Sequence, residues 1–136
     1  MDKIHVQTNI KAPLSKVWLY WTQPEHITKW NFASPDWHCP NAVNDLVTGG
    51  EFHYLMAAKD DSFKFDFWGT YISIIAEKNL EIVLRDRRKM TVTFEKTDHN
   101  TLISEFFEPE NENPVEMQKS GWQAILDNFR LYAERQ

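Results

Sequence analysis

A single cysteine, four glycines and no long hydrophobic run set the first limits on this chain of 136 residues. Cys39 has no partner for an internal disulfide, which favours a reducing, cytoplasmic setting. The N-terminal stretch MDKIHVQTNI has no signal-peptide apolar core. Unbroken apolar runs such as Tyr54–Ala58 are far too short to span a bilayer, so membrane insertion is not expected. Bases are in deficit: 15 Lys and Arg against 20 Asp and Glu leave a net charge of −5. That balance argues against nucleic-acid binding, which needs an excess of cations to neutralise phosphates. The histidines His5, His26, His38, His53 and His99 are scattered without His-x-x-x-His or Cys-x-x-Cys spacing, so neither a metal nor another cofactor is expected. With no triad or paired buried carboxylates recognisable, no catalytic residue is assigned.

What the chain has in excess is aromatic rings: nine Phe, six Trp and four Tyr. Its length fits one domain, residues 1–136, large enough to bury a core without disulfide or metal. IHVQTNIKA (Ile4–Ala12) alternates apolar and polar residues, as a half-buried strand does. Pro13 suits the first turn of a helix, and Val17, Trp18 and Trp21 recur at helical spacing. Pro24 breaks that helix and opens a short second one, Glu25–Trp30. After Gly49-Gly50 comes a run of strands: Glu51–Ala58, Phe63–Ile75, Leu80–Arg85, Met90–Lys96 and Thr101–Phe107. The connections KDDS, AEKN, RDRRK and TDHN are short and polar, so the strands form an antiparallel meander.

Asn113, Pro114 and Glu116 read as the cap, first position and capping-box acid of a C-terminal helix. Trp122, Ile125, Leu126, Phe129, Tyr132 and Ala133 then make one apolar stripe. From Val115 to Ala133 that helix spans about 28 Å, and the meander offers the only apolar surface large enough to hold it. The class is α+β: a curved antiparallel sheet of about six or seven strands wrapped around a long C-terminal helix, with two short helices after the first strand.

Sequence motifs follow that order along nearly the whole chain. APLSKVWLYWTQPEHITKW, DLVTGGEF (Asp45–Phe52), FWGTY (Phe67–Tyr71), VTFE and GWQAILDNF (Gly121–Phe129) together resemble the AHSA group, domains related to the activator of heat shock protein 90 ATPase. That group is part of the SRPBCC, or helix-grip, superfamily with START lipid-transfer domains, the birch pollen allergen (Bet v 1) and polyketide cyclases. The resemblance implies the helix-grip fold. For activity it implies a choice among ligand binding, cyclase- or hydrolase-like catalysis, and a chaperone-associated interaction module, since one fold hosts many functions.

His38-Cys39 is a tempting reactive pair. Sequence neighbours in a loop seldom face each other, and the nearest charges, Asp36 and Asp45, would raise rather than lower a thiol pKa; a structural thiol is the simpler reading. RDRRK (Arg85–Lys89) reads as a solvated hairpin tip, with recognition of an anionic group at a cavity mouth as the alternative. The acid-rich EFFEPENENPVE (Glu105–Glu116) reads as a solvated loop leading into the helix. The aromatics carry the functional expectation: Trp18, Trp21, Trp30, Trp37, Phe65, Phe67, Tyr71, Phe94, Phe106 and Trp122 lie in elements that surround one interior, and rings close-pack poorly in a concave space. His53 and Gln118 are the expected polar anchors, and His53 with Tyr71 the acid–base pair if the cavity is catalytic. The expected ligand is a small hydrophobic or aromatic molecule, lipid- or polyketide-like. A chaperone or other protein is the alternative partner. The odd stretch Trp30–Gly50 is expected to cross the cavity mouth as an irregular rim or lid, with Trp30, Phe32 and Trp37 turned inward.

Overall fold

The computed structural model describes residues 3–136. The chain runs β1 (Ile4–Ile10), α1 (Leu14–Thr22), α2 (Pro24–Ile27), β2 (Trp37–Asn44), β3 (Glu51–Ala58), β4 (Lys64–Ile75), β5 (Asn79–Leu84), β6 (Lys89–Thr97), β7 (Asn100–Phe107) and α3 (Val115–Glu134). All seven strands form one antiparallel sheet in the order β1-β7-β6-β5-β4-β3-β2. Among the described residues, no helix is long and apolar enough to cross a membrane.

Alternation decides which face of each strand is buried. In β7 the inward set Thr101, Ile103, Glu105 and Phe107 is buried, with Ser104 between them covered as well, and in β6 Met90, Val92 and Phe94 are buried. The four hairpins joining β3 to β7 each hold one non-glycine residue at positive φ, Asp61, Glu77, Arg87 or Asp98, at 53–73°. Two of the four are Asp, which tolerates this region better than most residues. The polar tetrads and pentads of the sequence are therefore the turns of the meander.

α3 lies across the concave face. Leu126, Phe129 and Ala133 are its buried core positions. Phe129 stands edge-on to Trp21 and Trp30, with ring centroids 5.0 and 4.7 Å away. Trp30 is fixed further by its indole N–H, which donates to the Tyr20 carbonyl at 3.0 Å, and by Asn128 Nδ2, which donates to the Trp30 carbonyl at 2.7 Å. The C-terminal half of α3 is thus packed solidly against α1 and the segment after α2.

Three local expectations differ from the structure. The stretch Trp30–Gly50 is not an irregular lid: residues Trp37–Asn44 form edge strand β2, with a register shift between His38 and Asn41. Backbone pairing with β3 satisfies a segment whose Pro, Asn and Asp content suggested a loop. Second, Asn113 is not the α3 cap. Pro114 holds that place, no side chain caps it, and Asn113 instead donates from its backbone N–H and its Nδ2 to the Glu110 carboxylate at 2.6 and 3.3 Å. Third, Glu105 belongs to β7 and is buried, not part of a solvated loop.

Candidate functional site

Between the N-terminal half of α3 and the sheet lies a cavity of about 310 Å³, at the lower end of the range small-molecule sites occupy. Its wall takes Phe52, Tyr54 and Met56 from β3, Phe67 and Tyr71 from β4, and Leu80 and Ile82 from β5. Met90 and Val92 of β6 continue it, Trp122 and Ile125 of α3 cover it, and Trp21 and Trp30 reach it from the helical side. Trp122 is positioned by stacking on Phe107, centroids 3.9 Å apart, and stands edge-on to Phe67 at 5.9 Å. Because the rings of Phe52, Tyr54, Phe67 and Tyr71 meet at tilted angles, they leave space that aliphatic side chains could have filled.

The polar part of the wall is small. Asn31, Arg88, Glu105, Glu110, Asn113 and Gln118 contribute to it. Gln118 is saturated: its Nε2 donates to the carbonyls of Glu110 and Asn113 at 3.1 and 2.8 Å, and its Oε1 accepts the Glu110 N–H at 2.9 Å. Tyr71 donates to Asn44 Oδ1 at 2.6 Å, and Asn44 Nδ2 in turn donates to the Thr22 carbonyl at 2.8 Å. Burial pushes the Tyr71 hydroxyl up to about 12. Tyr54 lies well above its ordinary value, through burial and then its neighbour Tyr71; both phenols keep their protons at neutral pH. Burial also pushes Glu105 up to about 8, so this carboxyl is largely protonated at pH 7.

Seven of the residues singled out from the sequence line this cavity: Trp21, Trp30, Phe65, Phe67, Tyr71, Gln118 and Trp122. Five do not. Trp18 and Phe94 pack edge-on against each other, 5.1 Å apart, as core beside it. Trp37 packs against Phe63 and Phe65. Phe106 turns to the opposite face of β7, stacked on His5 at 4.3 Å, because its neighbour Phe107 takes the inward position. His53 also points outward: Phe52 and Tyr54 flank it and line the cavity, so strand alternation sends His53 to the other face. There it stacks on Trp68 and bonds to Asp66 Oδ2 at 2.7 Å and Glu51 Oε1 at 2.9 Å. His53 and Tyr71 therefore address different faces of the sheet and form no acid–base pair. The signal for β3 was available, since Phe52, Tyr54 and Met56 alternate as the larger apolar set.

Cys39 is 2% exposed, its Sγ lying 3.5 Å from the Asn41 carbonyl. Burial raises its pKa, which makes it a structural thiol. Arg88 of the basic turn does reach the cavity wall, but its Nε is held by Asp86 Oδ2 at 2.6 Å and its Nη1 donates to the Glu108 carbonyl at 3.1 Å. Among the described residues, no group of three His, Cys, Asp or Glu side chains converges to hold a metal ion.

The motif DLVTGGEF owes its glycines to backbone geometry. Gly49 has φ +84° and donates to the Tyr71 carbonyl at 2.8 Å. A Cβ on Gly50 would stand 2.2 Å from the Asp45 carbonyl oxygen. The tight turn anchors β3 against β4 at Tyr71, a wall residue.

Comparison with known proteins places this architecture. Residues 11–134 match the family described as Activator of Hsp90 ATPase homolog 1-like protein. An AHSA1-like protein from Aeromonas hydrophila, whose solution structure is known, is 41% identical over 98% of this chain and 92% of its own, with a TM-score of 0.92. A protein from Cytophaga hutchinsonii is 48% identical over the same shares, 98% and 92%, with a TM-score of 0.85. A protein from Chromobacterium violaceum, 20% identical over 98% of this chain and 99% of its own, shares the fold at a TM-score of 0.86. No curated protein matches the chain significantly.

Proposed function

The chain belongs to the Activator of Hsp90 ATPase homolog 1-like family, and from its helix-grip architecture and interior we propose that it binds a small apolar or aromatic molecule between the sheet and α3. The observation that carries this reading is the cavity of about 310 Å³ walled by aromatic and aliphatic side chains. Burying apolar ligand surface there yields about 25 cal/mol per Å², and the ring faces suit flat compounds. Trp21, Trp30 and Trp122 border the space, so occupancy must change their emission. Titration with lipids, flavonoids and polyketide-like aromatics is expected to give saturable quenching or a spectral shift, with different ligands competing for one site. A flat response across the whole set would sink the reading.

The family's description brings a second reading, stimulation of a chaperone ATPase. A chaperone pull-down followed by an ATPase assay separates the two. The interior void weighs toward the ligand, because a surface that only contacts another protein has no use for a hollow core. The catalytic variant of the cavity reading loses its base, since His53 faces outward.

A further inference from the structure

Three buried polar side chains stand in the cavity wall: Asn31, Gln118 and Glu105. Asn31 Nδ2 donates to Met56 Sδ at 3.4 Å, and Gln118 makes its three bonds. Glu105 is 6% exposed, and among the described residues no hydrogen bond or ion pair engages its carboxyl; burial alone acts on it. Among the described residues the fully enclosed, unpartnered side-chain atom is Asn79 Oδ1, so the Glu105 carboxyl keeps some access to the cavity it lines. We propose that Glu105 anchors the cavity's ligand by donating its carboxyl O–H to a carbonyl-type oxygen on an otherwise apolar, uncharged molecule. The proposal rests on the ligand-binding reading and narrows its chemistry.

The surroundings favour a neutral acceptor over a cation. Opposite Glu105, β1 places Val6 and β6 places Val92, and α3 contributes Trp122 and Ile125 to the same wall. None of these titrates. The wall's charged groups are Arg88 and Glu110. The first is held by Asp86 and the Glu108 carbonyl, and the second by Asn113. Tyr54 and Tyr71 stay protonated. With its own pKa pushed up to about 8, the carboxyl presents a proton at pH 7. To pair with an ammonium ligand the carboxyl would first have to release its proton to solvent, leaving an ion pair in a low-dielectric interior, where desolvation rivals attraction.

Three matched probes separate the cases: diphenylmethane, benzophenone and diphenylmethylamine, with affinities read by Trp fluorescence and by amide NMR shifts. At pH 7 we expect benzophenone to bind about 3- to 10-fold tighter than diphenylmethane, the range one net hydrogen bond supplies. Glu105→Gln keeps an N–H donor and should retain that ratio; Glu105→Leu should bring it to about one. On the unmodified protein, which needs no variant to fold, the ratio should hold below pH 8 and fall above it as the donor proton leaves. Equal binding of the ketone and the hydrocarbon at pH 7 overturns the proposal alone, and so does a preference for the amine. Failure of all three probes to bind overturns it together with the ligand-binding reading.

Discussion

A carboxyl group enclosed by hydrocarbon keeps its proton well above the pH at which exposed glutamates release theirs, and Glu105 shows how strongly one residue can couple to pH. Its pKa moves from 4.5 to about 8 on folding. For an acid raised in this direction, the contribution to stability is complete below pH 4.5, shrinks as pH rises and is lost above about 8. The full effect is at most on the order of 5 kcal/mol. Glu105→Gln carries no titrating proton, so its stability relative to the unmodified protein should climb between pH 5 and 9 and level off beyond. Urea unfolding at pH 5, 7 and 9 checks this; a gap that stays constant with pH would refute the assignment. Glu105 was hidden in the sequence by its company. EFFEPENENPVE reads as acidic and exposed, and only the parity of β7 shows that Glu105 shares the inward face with Ile103 and Phe107. The same parity swaps Phe106 for Phe107. Where two adjacent residues are identical, composition cannot say which one is inside.

Elements were easier to read than the direction of their side chains. The meander, the two short helices and the apolar stripe of α3 follow from periodicities that only backbone geometry sets. β2 was missed because an edge strand with one neighbour tolerates Pro40 and an irregular register that a central strand would reject. Short strands also depend on their partners: β2 exists because β3 pairs with it, a fact absent from its own residues. The turn between them depends on Gly50 in a way that can be measured. With the Asp45 carbonyl 2.2 Å from the site of a new Cβ, Gly50→Ala must displace backbone. We expect a loss of about 3 kcal/mol, the upper part of the range for overpacking, seen as a lower urea midpoint at unchanged slope. An unaltered midpoint would show that the turn is free to shift.

The molecule as a whole is closed by pairing its two ends. β1 bonds to β7, so the first strand docks only after nearly the full chain has been laid down. The hairpins from β3 to β7 are local, and local contacts form at lower entropic cost. The β3–β7 meander should therefore dominate the folding transition state, with β1 and the C-terminal half of α3 joining late. Val6→Ala, roughly a 2 kcal/mol truncation by analogy with other buried aliphatics, should mainly speed unfolding, whereas Val92→Ala should mainly slow folding. Stopped-flow chevrons distinguish them. If Val6→Ala slowed folding in proportion to its destabilisation, the order would be reversed.

The two free margins of the sheet also govern how this protein behaves when crowded by copies of itself. A bare strand edge is a template on which a second chain can extend the sheet. At the β1 margin, Gln123 of α3 reaches over to occupy the Gln7 carbonyl at 3.1 Å. At the β2 margin, Pro40 supplies no N–H, and the shifted register between His38 and Asn41 bends the strand away from regular pairing. The residues that made Trp30–Gly50 look like a loop thus disfavour addition of a second chain along this margin of the sheet.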